Sequence, residues 1–497
     1  MLFNSPSFLF LFLPISFFAY QLLRMSGKRS LLVTWLLACS LFFYAYWNPP
    51  YAILLIATIV ANFYIGKQIA NHRKREGNSN TANYILGIGI VLNCIPLAYY
   101  KYAHFLLDIL DLNHRWKFES SSLVLPLAIS FYTFQQIAYL VDTYRTTKAD
   151  AKLLEYSLFV SFFPQLIAGP IVRIKDILPQ LRTIHINRAD ISNLSRGLAL
   201  ISIGLSKKAI LADSLSIIVD AGYNTIPNQS GLDAWICAIA FAFQIYYDFS
   251  GYTDIARGVA LLFNIELPRN FDSPYTATSI DQFWKRWHMT LSHWLLNYVY
   301  LPLGGNRIKP IRTYTNILVV FMLSGLWHGA GWTFVAWGTI HGIAVIANKC
   351  WNKTNIILPK PISWSATFLF LCVTWVFFRS PDIQSALSFI QSMFTTELCE
   401  FSQTFLDELA KRSEYLICAG IPTFNTSRLI PLEIFIIIPL LSLFFPNSDK
   451  LSNAIAIPDS NNMLKLILAS ITVGSLIGLS TSYILGSQGD TFIYFNF

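Results

Sequence analysis

Eight histidines give this 497-residue chain a short list of groups able to exchange protons near neutral pH. His72, His104, His114 and His185 stand in polar, loop-like surroundings and are read as inert. The informative four are His288, His293, His328 and His341. His328 lies in Leu323-Ser-Gly-Leu-Trp-His-Gly-Ala-Gly-Trp332, near the middle of a run from Thr313 to Asn348 without a charged residue. An ionisable side chain is costly at membrane depth, so a functional role is the default reading there. A neutral imidazole takes a proton from an alcohol and returns it to a leaving group, acting as base and then acid in group transfer. Gly325, Gly329 and Gly331 are expected to let a substrate chain approach the backbone. Oxyanion stabilisation would fall to the Trp327 indole or to backbone N–H groups at the Gly329–Gly331 break. The bland alternative is a buried histidine satisfied by a backbone carbonyl, and position alone weighs the two evenly.

Three further stretches carry polar groups in apolar surroundings. Asp281-Gln-Phe-Trp-Lys-Arg-Trp-His-Met-Thr-Leu-Ser-His-Trp294 contains His288, which is upstream enough to sit on another helix and still face the His328 cavity. Whether it is a partner or a structural histidine stays open. Lys285 and Arg286 between Trp284 and Trp287 read as an interfacial anchor. Gln244 to Arg257 sets Asp248, Tyr252 and Asp254 around a glycine break at Gly251. Asp248 and Tyr252 are substrate-binding candidates, but a helix cap and an ion pair with Arg257 explain the acids more simply. Phe162 to Arg173, which includes Gln165, is too short and proline-rich for an ordinary span and suits a re-entrant segment.

These residues need a frame, and the composition says what kind. With 54% hydrophobic and 13% charged residues, the chain lacks the polar surface of a soluble globule. Counting uncharged stretches against the ~20 residues needed to cross hydrocarbon gives about 10–12 spans. The expected fold is all-α: a polytopic transmembrane helical protein with re-entrant or broken helices around a central chamber. The first apolar segment, Ser5–Leu23, reads as an uncleaved anchor. Basic residues follow alternate spans (Arg24, Lys28 and Arg29; His72 to Arg75; Arg145, Lys148 and Lys152), placing those loops in the cytoplasm and the N-terminus outside. Because the net charge of +9 is explained by such loops, no nucleic-acid partner is expected. Seven scattered cysteines read mostly as small apolar fillers, with a Cys399–Cys418 disulfide left open.

One membrane domain spanning 1–497 is the economical reading: a helical scaffold over 1–150, a core over 157–348, an extramembrane segment with amphipathic helical spacing over 382–428, and C-terminal helices over 429–497. Backbone broken at membrane depth, as at Pro164 and Gly169-Pro170, is tolerated only where protein or a water-filled cavity satisfies the freed groups.

Five ordered motifs then carry a resemblance: FFPQLIAGPIVR, YYDFSGYTDIARG, FWKRWHMTLSHW, YVYLPLGGNR and LSGLWHGAGWTFVAWG. Together they resemble the membrane-bound O-acyltransferase family, in its bacterial polysaccharide O-acetyltransferase branch, from about Ser120 to Asn348. The resemblance implies that His328 is the essential histidine and His288 the upstream polar position that pairs with it. It also implies an acyl thioester donor such as acetyl-CoA or an acyl carrier, no bound cofactor or metal, and a cell-envelope or secreted polysaccharide as acceptor. A separate periplasmic or membrane-anchored esterase-like partner and a bacterial inner-membrane location follow from the same likeness. One departure stands at Leu295-Leu296-Asn297, where related sequences commonly carry Phe-Arg-Asp. Rival readings are D-alanyl transfer to teichoic acid, a secondary transporter or flippase, for which no internal repeat is found, and a di-iron enzyme, which wants closer histidine boxes.

Overall fold

A computed structural model of the chain describes residues 1–77, 80–111, 125–184, 190–226, 228–307, 309–394, 400–418, 438, 441–455 and 463–486. Among these residues every regular element is a helix and none is a strand. Helices Pro49–Arg75, Asn80–Ile109, Lys360–Arg379 and Ile467–Leu485 are long and apolar enough to cross a membrane, and Phe8–Arg24 and Arg29–Ala45 are shorter apolar helices. Backbone groups in hydrocarbon must be satisfied within their own segment, which is why such sequences become helices. The chain is an all-α polytopic membrane protein.

It forms two compact units, one of Met1–Leu198 with Ala256–Pro268 and one of Ala199–Ile255 with Arg269–Phe497. In the first, Pro49–Glu76, Asn80–Leu97 and Ile129–Thr146 pack on one another. Their buried amides close a cluster: Asn62 Nδ2 donates to Asn93 Oδ1 at 3.0 Å and to Gln136 Oε1 at 2.9 Å, and Asn93 Nδ2 donates back to Asn62 Oδ1 at 2.6 Å. Without a hydrophobic drive between helices in lipid, such hydrogen bonds fix their register. Glu155 caps the helix Leu153–Ser161 through the Lys152 N–H and pairs with Arg29. The proline-rich stretch behaves as its composition predicts: a short helix, Phe163–Leu166, then buried non-helical backbone through Val172.

Several expectations change in the second unit. The uncharged run from Thr313 is two helices, Pro310–His328 and Trp332–Trp351, packed as a hairpin. A Cβ on Gly325 would strike the Phe334 carbonyl, one on Gly338 the Phe321 carbonyl, and one on Gly342 would come within 3.2 Å of Leu318 and Phe321. That antiparallel ladder shows what these glycines are for: they let two backbones approach. His328 therefore sits at the turn of the hairpin, not midway along a span. Gly231–Leu262 likewise runs unbroken through Asp248–Asp254, because Gly251 does not end the helix but admits the Gly204 backbone, whose carbonyl would lie 2.8 Å from its Cβ. Within 382–428, Ile383–Met393 and Gln403–Cys418 are helices whose Phe389, Met393, Phe405 and Leu409 join the unit's apolar core. Cys399, and with it the open disulfide, lies outside the described residues, as do His114 and His185. His72 and His104 are helical, and His104 meets Asp108 at 2.9 Å.

Candidate active site

The second unit brings together two of the histidines singled out by sequence. His328 closes the Pro310–His328 helix, and Gly329, extended, starts the three-residue turn. His288 precedes the helix Met289–Leu295 in a left-handed conformation, φ 42° and ψ 53°, uncommon for a residue with a Cβ. The two rings lie 6.2 Å apart between centroids at 63°, and Trp327 stands 5.5 Å from His288 and 4.8 Å from His328. Phe249 packs edge-on against His288 at 4.8 Å, while Trp337 and Phe378 pack on His328 at 5.2 and 5.3 Å. Both imidazoles are buried, His288 at 0% and His328 at 3% exposure, so neither faces lipid.

Hydrogen bonds fix His288. Its Nδ1 lies 3.1 Å from Asn270 Oδ1, and Nε2 has no hydrogen-bond partner among the described residues. The Met289 N–H donates to the Asn270 carbonyl at 2.9 Å and the Ser292 N–H to the His288 carbonyl at 3.0 Å. These bonds hold a backbone conformation that costs on the order of 1–2 kcal/mol.

Asp248 is buried on the Gly231–Leu262 helix, where its carboxylate pairs with Lys208 at 2.8 Å; Lys208 also meets Asp213 at 2.7 Å. Asp254, six positions on, pairs with Lys207 at 2.8 Å, and Ser448 bonds both groups. The two lysines lie on a π-helical turn, Ser206–Ala212, a distortion that suits functional sites. The acids thus sit mid-helix as counter-charges and not as caps. Tyr252 is buried on the same helix, but it is Phe249 that packs on the histidine. Gln165 belongs to the first unit and donates there to the Phe159 carbonyl. The Phe334 ring occupies the place a Cβ on Gly329 would take, so its smallness serves packing.

Sequence reasoning misplaced Trp287, which is fully buried between Phe271 at 5.0 Å and Trp375 at 5.1 Å and anchors no interface. The exposed pair of Lys285 with Asp281, at 2.6 Å, does keep its charge outside. His293 is exposed, whereas His341 is buried and bonded to Thr374 at 3.1 Å, with Trp337 against both its ring and that of His328. Asn270 and Lys208 were missed as partners. A polar residue bracketed by Phe263 and Phe271 in an otherwise ordinary loop was the available signal for the first.

A buried pair of imidazoles beside an indole, one of them held by a neutral amide, is equipped for proton transfer to and from a neutral nucleophile. Comparison with known proteins bears on which transfer. The pattern of the membrane-bound O-acyltransferase family matches residues 143–377. The peptidoglycan O-acetyltransferase of Helicobacter pylori is 37% identical over 100% of this chain and 98% of its own length. The probable alginate O-acetylase of Pseudomonas aeruginosa is 37% identical over 82% of this chain and 78% of its own. The teichoic acid D-alanyltransferase of Streptococcus thermophilus is 30% identical over 48% of this chain and 61% of its own. With likeness running from end to end of a relative of similar length, this chain belongs to the membrane-bound O-acyltransferase family and is an O-acyltransferase.

Proposed function

We propose that the chain moves an acetyl group from a cytoplasmic thioester, acetyl-CoA or an acyl carrier, to a hydroxyl of a cell-envelope or secreted polysaccharide, with peptidoglycan the first choice and an alginate-like polymer the second. The observation that carries this is the meeting of His288 and His328, from separate elements, with ring centroids 6.2 Å apart in a buried aromatic setting. One imidazole takes the hydroxyl proton as the oxygen attacks the thioester carbonyl. The carbon–sulfur bond then breaks, and the departing thiolate recovers the proton. Trp327, against both rings, is the candidate donor for the developing oxyanion. The reading also places the chain in the bacterial inner membrane with its N-terminus outside, working with a separate esterase-like protein on the periplasmic side. The full-length likeness to a peptidoglycan O-acetyltransferase supports acetyl and glycan over the D-alanyl alternative, whose representative aligns with only 48% of the chain.

The test is His328→Ala in cells, with ester-linked acetyl groups measured on peptidoglycan and on secreted polysaccharide, and with protein accumulation in the membrane as control. Loss of acetyl at equal accumulation is expected, by about 10²-fold or more. Unchanged acetylation in both polymers rejects the assignment.

A further inference from the structure

Asn270 meets the turn around His288 with more than one of its atoms. Its side-chain oxygen accepts from the Thr290 backbone N–H at 3.2 Å and from Thr290 Oγ1 at 3.0 Å, and it faces His288 Nδ1 at 3.1 Å. A backbone N–H can only donate, so the atom it meets is the amide oxygen and not the NH2. A ring nitrogen at hydrogen-bond distance from that oxygen must in turn carry a proton. Neutral imidazole has one proton to place, which leaves the lone pair on Nε2.

We propose that Asn270 is a positioning residue that fixes His288 as its Nδ1–H tautomer, making Nε2 the proton-accepting atom of the histidine pair. This rests on the acyl-transfer reading above. The main chain serves the same end, because the Asn270 carbonyl holds the Met289 N–H and so the left-handed turn that presents the ring. Nothing comparable constrains His341, whose Nε2 stands 3.1 Å from Thr374 Oγ1, a hydroxyl able to donate or accept. Among the described ring neighbours of His288, His328 titrates, and Phe249 and Trp327 do not. Of the carboxylates on the adjoining segments, Asp248 is paired with Lys208, and Asp272 with Asn447 at 2.7 Å and Arg269 at 3.4 Å.

The experiment uses the full chain in membranes, with acetyl-CoA and a peptidoglycan fragment as probes, over about pH 5 to 9. Asn270→Leu removes the acceptor, and transfer per folded protein is expected to fall about 10²-fold. Asn270→Asp keeps the acceptor and the tautomer but favours the imidazolium, so transfer persists and its acid limb moves up by about 1–3 pH units. An Asn270 serving only to brace the loop predicts an unshifted limb in Asn270→Asp, and that result overturns the proposal, as does near-wild-type transfer by Asn270→Leu. A second readout needs no turnover: solid-state NMR of 15N-histidine-labelled protein, with His288 signals identified by their loss in His288→Gln. The wild type is expected to show Nδ1–H, and Nε2–H there refutes the assignment. A wild type that moves no acetyl onto any glycan while showing Nδ1–H would instead sink the acyl-transfer reading alone.

Discussion

Two buried polar clusters in this molecule are built on opposite terms. In the first unit, Asn62, Asn93 and Gln136 direct their amide donors to one another and to nearby helix oxygens, including Thr58 Oγ1 at 3.2 Å from Gln136 Nε2. In the second, His288 uses one ring nitrogen for Asn270 and His341 one for Thr374, while the other nitrogen of each has no hydrogen-bond partner among the described residues. A closed network of neutral amides can only hold helices together. A network that ends on a ring nitrogen inside an aromatic wall keeps the capacity for one further hydrogen bond.

The contrast can be broken from either side. The largest effect is expected for His288→Gln: acetyl transfer falls by about 10²–10⁴-fold while the thermal midpoint of the purified protein stays put. A matching loss of stability would make His288 a brace like Asn62. Next comes Lys208→Met, which leaves Asp213 and Asp248 without their shared cation and is expected to cost about 3–5 kcal/mol in denaturant or thermal unfolding. Asn62→Leu orphans groups on Asn93 and Gln136 and should cost about 1–3 kcal/mol, with transfer per folded protein unchanged. A fall in turnover beyond the loss of folded protein would mean that the amide cluster is not purely a fastening.

The smallest effect concerns Glu155. Burial pushes its carboxyl up, but the Lys152 N–H and the Arg29 and Arg182 guanidiniums outweigh that and hold it below its usual range. A carboxyl lowered in the folded state stabilises fully above its unfolded pKa of about 4.3 and loses that contribution as pH falls through the folded value. Glu155→Gln should therefore be less stable than wild type by about 1 kcal/mol at neutral pH. Unfolding curves of the two should converge in acid; a gap that widens there would contradict the sign.

The frame was legible because composition and span length answer to one solvent, and all-α followed directly. His328 stood out because an imidazole in an uncharged run is costly to bury, although that alone left a structural histidine equally open, and His288 stood out only through the motif around it. What escaped was whatever depends on a partner distant in sequence. Asn270 carries no chemical signature of its own, and only folding reveals that its oxygen meets both Thr290 and His288. Trp287 looked interfacial beside Lys285 and Arg286, yet the turn between the helices Ile280–Trp284 and Met289–Leu295 sends its ring into the core and leaves Lys285 outside. The glycines near His328 were visible, but their purpose was not, since a gap left for a substrate and a gap filled by Phe334 look alike in a string of letters.

The glycine ladder of the Pro310–Trp351 hairpin has a consequence for how the enzyme is made. Its contacts join residues close along the chain, so little loop entropy opposes their closure, and the two arms can zip as they leave the ribosome. The bend carrying His328 can then assemble locally, without waiting for the helix Lys360–Arg379 to dock. His288 can then meet an apex that is already formed, so that the two imidazoles are brought together by docking a loop onto a finished post.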